Sequence, residues 1–383
     1  MNLEPEISII LPCLNEETGI IFCLAEIKKT IRDNSLSAEV IVVDNNSHDN
    51  SVKLIEEYQV NFPELKLIQE TKEGYGFAYL AGLKNSLGKY IFMADSDGTY
   101  RFTDLPLFIN KLKQGSDLVV GNRFSKKISR KTMPWINHYI GNPFLSFLVR
   151  LFFKVKINDI HCGERAISRD ALKKIHLYTG GMEFASEMII KAAKKNLIIS
   201  EIPIDYRERI GESKLRSLND GWRHLRFILL YSPLFLFFLP GVLLFLLGII
   251  LMAIFYFSSP SIFGIQFYIH PMFFFLVMII LGYQLIIFSG FSKIYAITHL
   301  GDSNHLIESL FRHITIEKTG LLGILLAIIG AVIYISIFIT WITTDFGAIS
   351  GIKESIIGLT LLVLGIQTFF SAFMFSILGI KNT

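Results

Sequence analysis

The chain has 383 residues, 51% of them apolar, and a formal net charge of only +4. One soluble domain does not carry that apolar load, and the excess is confined to the part after Tyr231, which predicts a soluble domain followed by a membrane domain. The mild charge, with no basic stripe interleaved with aromatics, excludes nucleic acid as the main partner.

The opening segment, Met1 to Glu6, is acidic and has no apolar run before the first strand pattern, so no signal peptide is read and the soluble domain is expected in the cytoplasm. Ile7 to Leu11 is a β-branched apolar run closed by Pro12 and predicts a buried strand. An amphipathic helix is expected over about Glu16 to Arg32. Val40 to Val43 predicts a second strand with Asp44 at its carboxyl end, followed by the loop Asn45-Asn46-Ser47-His48-Asp49 and a helix to about Tyr58. Leu65 to Ile68 reads as a third strand, Gly74 to Asn85 as a glycine-led helix, and Tyr90 to Ala94 as a fourth strand ended by Asp95. Strands alternating with helices predict a mostly parallel sheet covered on both faces, with ligands at the carboxyl ends of the strands. Pro12, Asn15, Glu16, Asp44, Asp95 and Asp97 all fall on that edge.

Beyond about Leu230 four runs of near twenty residues carry no Lys, Arg, Asp or Glu: about 234–257, 272–291, 321–342 and 356–377. Each suits a bilayer core. Lys293, Arg312 and Lys318 lie between the second and third runs, no Lys or Arg lies between the first two, and only Lys353 lies between the last two. The positive-inside rule then predicts that basic loop, both termini and the soluble domain in the cytoplasm. Between the two domains, 213–231 holds Lys214, Arg216, Arg223, His224 and Arg226 beside Trp222, Leu225, Phe227 and Ile228, and predicts an interfacial amphipathic helix. The expected layout is 1–212 catalytic, 213–231 interfacial and 232–383 transmembrane.

Asp95-Ser96-Asp97 puts two carboxylates at a strand end, a donor set that suits Mg²⁺ or Mn²⁺ shared with substrate phosphates. Gly74-Tyr75-Gly76 is neither a P-loop nor a dinucleotide fingerprint, because no Gly-Lys-Ser/Thr follows and Tyr79 takes the third glycine position. Asp159 to Arg165 combines charge with a turn, and Arg207, Arg209 and Lys214 form a basic cluster ahead of the first span that could bind a lipid-borne phosphate. Cys13, Cys23 and Cys162 form no C-x-x-C pair and no His stands at zinc-ligand spacing, so a zinc site finds no support and a reducing compartment is expected. No Gly-x-Ser-x-Gly or His-Glu-x-x-His is present to support hydrolase chemistry.

In sequence order, Pro12-Cys13-Leu14-Asn15-Glu16, Val43 to Asp49, Gly74-Tyr75-Gly76, Asp95-Ser96-Asp97-Gly98, Gly121-Asn122-Arg123-Phe124, Asp159 to Arg165 and Gly211-Glu212-Ser213-Lys214 resemble family-2 glycosyltransferases of the dolichol-phosphate mannose and glucose synthase type. The resemblance covers about Ile7 to Pro233. It implies an α/β GT-A (Rossmann-like) catalytic domain ahead of an α-helical transmembrane domain with four spans. It also implies a nucleoside-diphosphate sugar donor such as UDP-glucose or GDP-mannose, a divalent metal, a polyprenyl (dolichyl or undecaprenyl) phosphate acceptor and inversion at the anomeric carbon. By resemblance Pro12, Asn15, Glu16, Asp44 and Asp95 line the nucleotide pocket and Asp95 and Asp97 hold the metal. Arg123, Arg207, Arg209 and Lys214 surround the acceptor phosphate, and Glu187 sits near the sugar. His138 stands close to where relatives often carry Arg, and Gly98-Thr99-Tyr100 replaces the Leu-Gln-His of mannose-type enzymes, so the sugar need not be mannose. A processive polysaccharide synthase would carry Gln-x-x-Arg-Trp before a span, where this chain has Asp220-Gly221-Trp222-Arg223. A non-catalytic sugar-nucleotide scaffold would be expected to lose Asp95, Asp97 or Arg123, and a transporter would carry ionisable groups in its spans. A homo-oligomer is compatible with the sequence and not specified by it.

Overall fold

A computed structural model describes residues 4–126, 132–211, 217–262, 265–299, 316–347 and 351–379. The chain divides into two compact units between Tyr231 and Ser232.

In the first unit the strands are β1 (Ile7–Cys13), β2 (Ala38–Asp44), β3 (Leu65–Gln69), β4 (Tyr90–Met93), β5 (Leu118–Asn122), β6 (Arg165–Ser168) and β7 (Ile199–Pro203), and they form one sheet in the order β3-β2-β1-β4-β6-β5-β7. Pairings among β1, β2, β3 and β4, and between β5 and β7, are parallel, whereas β6 runs antiparallel to both its neighbours. The apolar runs of the inner strands are buried because helices cover the sheet: α1 (Ile20–Asp33), α2 (Ser51–Gln59), α3 (Tyr75–Asn85), α4 (Leu105–Lys113), α5 (Asn142–Phe153), α6 (Arg169–Lys174) and α7 (Phe184–Lys194). The edge strands β3 and β7 are only partly buried. The chain leaves β1 for β2 and β3, then returns to place β4 on the other side of β1. That reversal opens a crevice outside the carboxyl ends of β1 and β4, where doubly wound sheets bind ligands. Helix α3 reaches this edge because Gly82 lies flat on β1: a Cβ there would come 2.4 Å from Ile10 Cγ2. All three cysteines are buried and unpaired. Burial first of all pushes the Cys13 and Cys23 thiols up to about 12.

Helix α8 (Ser217–Leu230) covers most of the stretch expected at 213–231, and 213–216, with Lys214 and Arg216, lie outside the described residues. It clusters with the catalytic unit, and His224, Phe227 and Ile228, spaced three and four apart, are buried in that unit's core, while Trp222, Arg223, Arg226 and Leu230 stay exposed. Expected to face headgroups, His224 instead stacks edge-on against His161 at 4.1 Å between ring centroids, and its Nδ1 lies 2.8 Å from Ser186 Oγ. Burial pushes His224 down to about 4 and holds His161 well below its ordinary value, both in the direction of the neutral ring. A second apolar face went unread in the sequence. Trp135, Ile136, Tyr139 and Ile140, on a wide π turn and the residues ahead of it, continue into Phe144, Phe147 and Leu151 of α5, and each is about half exposed.

In the second unit four helices are long and apolar enough to cross a bilayer: α9 (Leu239–Phe257), preceded by a π turn at Leu234–Phe238, α10 (His270–His299), α11 (Ile316–Thr343) and α12 (Ile352–Gly379). The wide turn sits where the ring of Pro240 would press on the carbonyl four residues before it. The helices outrun the predicted spans because polar ends such as Lys293 and Glu317 continue the same hydrogen-bonded turns. Glycines set the seams. A Cβ on Gly365 would meet the Ala327 nitrogen at 2.4 Å, and one on Gly330 would meet the Gly358 carbonyl oxygen at 2.6 Å. Gly323 and Gly330, like Gly358 and Gly365, are seven residues apart, so one face of α11 meets one face of α12 backbone to backbone. Gly365→Val is expected to separate these helices and lower the thermal midpoint in detergent by at least about 5 °C, on the scale of an overpacked core. An unchanged midpoint would mean that the seam is not close-packed.

Candidate active site

The crevice edge is held largely by bonds between side chains and the backbone. Ser96 Oγ donates to the Pro12 carbonyl at 2.6 Å, tying the end of β4 to the end of β1. Asn15 holds a left-handed backbone (φ 50°), donates its N–H to Ser47 Oγ at 2.9 Å, and accepts the His48 N–H on Oδ1 at 2.7 Å. Asp44 is buried at the end of β2 and caps the Ser47 N–H at 3.4 Å. Pro12, Asn15, Glu16 and Asp44 therefore share one edge, as expected from their strand-end positions. Asn45, read from sequence only as loop chemistry, is a clamp: its amide donates to the Glu70 and Lys72 carbonyls at 3.0 and 2.7 Å and its oxygen accepts the Gly74 N–H at 2.7 Å.

Asp95 and Asp97 follow β4 on the same edge. Asp95 Oδ1 accepts the Tyr75 hydroxyl at 2.8 Å and lies 3.4 Å from that of Tyr79, while its Oδ2 rests against Gly163, where a Cβ would come within 2.6 Å. Asp97 Oδ1 accepts from Thr99 N–H at 3.0 Å and Thr99 Oγ1 at 2.5 Å, and Oδ2 pairs with Arg209 Nη1 at 3.1 Å. Arg209 also pairs with Glu16, so one guanidinium bridges the β1 loop and the carboxylate pair. Burial, and then the Asp97 charge, push Asp95 from 3.8 up to about 6, against the Tyr75 hydrogen bond and the Arg209 and Arg123 charges. Among the described residues no group of three or more His, Cys, Asp or Glu could hold a metal unaided. Two carboxylates at a crevice fit Mg²⁺ or Mn²⁺ that takes its remaining oxygens from a bound phosphate and water.

The structure distributes the other expected residues differently. Arg123 is turned onto Asp159, with Nε to Oδ2 at 2.7 Å and Nη2 to Oδ1 at 2.8 Å, and the Asp159 carboxylate also accepts the Arg123 N–H at 3.1 Å. Burial works against the Arg123 charge, but Asp159 overrides it and raises its pKa well above the ordinary value. Arg207 is forked onto Glu26 at 2.8 and 3.2 Å. Lys214 lies outside the described residues. Glu187, expected beside the sugar, is completely buried on α7: it accepts from Thr179 N–H at 2.9 Å and Thr179 Oγ1 at 2.6 Å, and pairs with Lys191 at 2.6 Å. Arg165 is likewise buried, its guanidinium spent on the Cys162 and Ala185 carbonyls. His138 faces Phe124 at 5.5 Å between ring centroids.

The Arg123–Asp159 pair is buried on both sides, so removing one partner strands a charge. Asp159→Ala should destabilise the catalytic unit by about 3–5 kcal/mol, read as a fall in its thermal midpoint in detergent. A change below about 1 kcal/mol would mean that the guanidinium finds water or another acceptor.

Residues 8–176 match the family model described as glycosyl transferase family 2, and 290–379 match the family 2 C-terminal transmembrane region. The chain is 33% identical over 99% of its length, and over 90% of the relative, to the low-salt glycan biosynthesis hexosyltransferase Agl6 of Haloferax volcanii. It is 31% identical to the dolichyl-phosphate hexose transferase of the same organism, over 56% of this chain and 89% of that one. Among solved structures, glucosyl-3-phosphoglycerate synthase from Mycobacterium tuberculosis, in complex with Mn²⁺, UDP-glucose and glycerol 3-phosphate, superposes with a TM-score of 0.47 at 18% identity, covering 60% of this chain and 80% of that one. The sheet, the strand-end carboxylates and the four apolar helices thus belong to a GT-A catalytic domain followed in the chain by a transmembrane domain, and the chain is a membrane glycosyltransferase of family 2, of the same type as these hexose transferases.

Proposed function

We propose that the protein transfers a single hexose from a nucleoside-diphosphate sugar, UDP-glucose or GDP-mannose, to a polyprenyl phosphate of the dolichyl or undecaprenyl kind, with inversion at the anomeric carbon, and so supplies a lipid-linked sugar for glycan assembly. The observation that carries this reading is the carboxylate pair Asp95/Asp97 at the β1/β4 crevice, bridged to Glu16 by Arg209, in a chain with four bilayer-length helices. The full-length likeness to a glycan hexosyltransferase and the likeness to a dolichyl-phosphate hexose transferase support the acceptor class.

In this reading Pro12, Asn15, Glu16 and Asp44 border the nucleotide, and Asp95 and Asp97 hold Mg²⁺ or Mn²⁺ against the diphosphate. The ion, when bound, offsets charge on the departing nucleoside diphosphate. An acceptor phosphate oxygen attacks the anomeric carbon as the bond from that carbon to the diphosphate oxygen breaks, and the nucleoside diphosphate leaves with the bonding pair. The second pKa of a phosphate monoester lies near 6, so the acceptor is already mostly a dianion at pH 7 and needs no strong base. Positioning and charge compensation carry the catalysis. Arg209 and Arg207 supply cationic charge on the crevice side, with Lys214 assigned by sequence alone. Arg123 acts from within its pair with Asp159. In this reading the exposed face from Trp135 to Leu151, with Trp222 and Leu230 on α8, seats the catalytic unit on the membrane surface, and the basic residues between the second and third spans favour the cytoplasmic side for it.

The test is a transfer assay with purified protein in detergent, offering UDP-glucose and GDP-mannose with Mg²⁺ or Mn²⁺ and either lipid phosphate. The expected product is the lipid phosphate plus one hexose by mass, abolished by chelator. A polymer would instead identify a processive synthase, and absence of both product and nucleotide binding would leave a non-catalytic scaffold. Asp97→Asn should lower turnover by about 10²–10³-fold, the size of a lost electrostatic contact to the transition state, with folding and membrane insertion intact. Turnover like that of the wild type would remove Asp97 from the metal site.

A further inference from the structure

We propose that Tyr75 and Glu187 are positioning residues that fix the orientation of the Asp95 carboxylate through a close-packed pair of loops, Gly74–Gly76 and Tyr178–Gly180. The inference rests on the reading of Asp95 as a ligand of the donor's diphosphate and metal.

Tyr75 sits at the start of α3 between two glycines, and its hydroxyl donates to Asp95 Oδ1 at 2.8 Å. The backbone carrying Tyr75 has no slack. Gly76 N–H donates to the Gly180 carbonyl at 2.9 Å, with Phe77 N–H at 3.3 Å from the same oxygen. A Cβ on Gly74 would lie 2.2 Å from the Gly180 oxygen, one on Gly76 would lie 2.1 Å from the Thr179 oxygen, and one on Gly180 would lie 2.2 Å from the Phe77 ring. From the other side Asn45 Oδ1 holds the Gly74 N–H at 2.7 Å.

The partner loop is in turn set by Glu187. Its Oε2 takes the Thr179 N–H and hydroxyl at 2.9 and 2.6 Å, and Tyr178 N–H lies 3.1 and 3.2 Å from its two oxygens. Among the described residues, the hydrogen-bond and ion-pair partners of the Glu187 carboxylate are all donors, counting Lys191 at 2.6 Å. An amide would turn an NH₂ toward at least one of them. Glu187 is completely buried, so its effect on the crevice is indirect and runs from Thr179 to Gly180, to Gly76, to Tyr75 and so to Asp95. The second oxygen of Asp95 is backed by Gly163, which leaves no room for a Cβ. The carboxylate is thereby held on both sides, and the crevice meets it in one orientation.

The test measures Mn²⁺ binding by the full-length protein in detergent, from the electron paramagnetic resonance signal of free Mn²⁺, with UDP or GDP present. Tyr75→Phe keeps the ring and removes the hydroxyl. A hydrogen bond to a charged group is lost, so Mn²⁺ affinity should fall roughly 10–100-fold while the thermal midpoint stays within a few degrees. Glu187→Gln should shift Mn²⁺ affinity in the same direction. If the two residues act in one chain, the double variant should lose much less than the product of the single losses. In the transfer assay both variants should raise the Mn²⁺ concentration for half-activation more than they raise KM for the lipid phosphate. Wild-type Mn²⁺ affinity in Tyr75→Phe overturns the proposal, and multiplicative losses in the double variant overturn the linkage between loops. If the wild-type protein itself binds no Mn²⁺ with either nucleotide, the metal reading of Asp95 falls first, and the proposal falls with it.

Discussion

Two carboxylates stand at the end of one buried strand, and the residues around that edge must satisfy their charge. Burial first, and then the charge of Asp97, raise Asp95 to about 6, while the Tyr75 hydrogen bond and the positive charges of Arg209 and Arg123 lower it. A phosphate-bearing ligand would add negative charge where it is already concentrated, and so would need cationic compensation. Arg209 brings a cation to this edge by spanning Glu16 and Asp97. This explains why residues nearly two hundred positions apart in the chain end at the same place: the segment after β7 must return its arginines to the edge that β1 and β4 define.

Buried charge sets a second constraint. Arg123 and Asp159 satisfy each other through two side-chain hydrogen bonds and a backbone one, so the cost of removing both ions from water is met locally. Glu187 and Arg165 follow the same rule, each spent on groups of the protein interior. These residue types look catalytic in a sequence because burial and partners are invisible there, whereas in the fold each is buried and paired with groups of the protein interior.

The membrane unit solves a different problem. Lipid gives no hydrophobic reason for apolar helices to associate, so the contact between α11 and α12 rests on glycines that let backbones meet. Polar side chains add to the contact between α10 and α12: Gln367 donates to Gln284 at 2.9 Å, and Tyr283 bonds Thr368. Helix α8 belongs to the catalytic unit by packing, because its apolar positions fall at helical spacing on one side and are covered by that unit's core.

Much of this was legible in the chain. Short apolar runs rich in β-branched residues and bounded by turn residues identify buried strands, and strand ends then place Pro12, Asp44, Asp95 and Asp97 on one edge without any knowledge of contacts. Uncharged runs of bilayer length identify four spans for an equally local reason. What periodicity could not reveal is which partner each polar group finds: that β6 inserts antiparallel between β4 and β5, that Asn45 clamps Gly74, that Tyr75 reaches Asp95, that Glu187 faces inward, and that His224 turns toward His161. Those choices depend on loops meeting across tens of residues, where a missing Cβ or one well-placed donor decides the geometry. The sequence by itself determined the elements, the membrane spans and the chemical character of the crevice, because each is written in local pattern. Only the tertiary structure decided which charges face the crevice and which are spent holding it in place, because that depends on burial and pairing between distant segments.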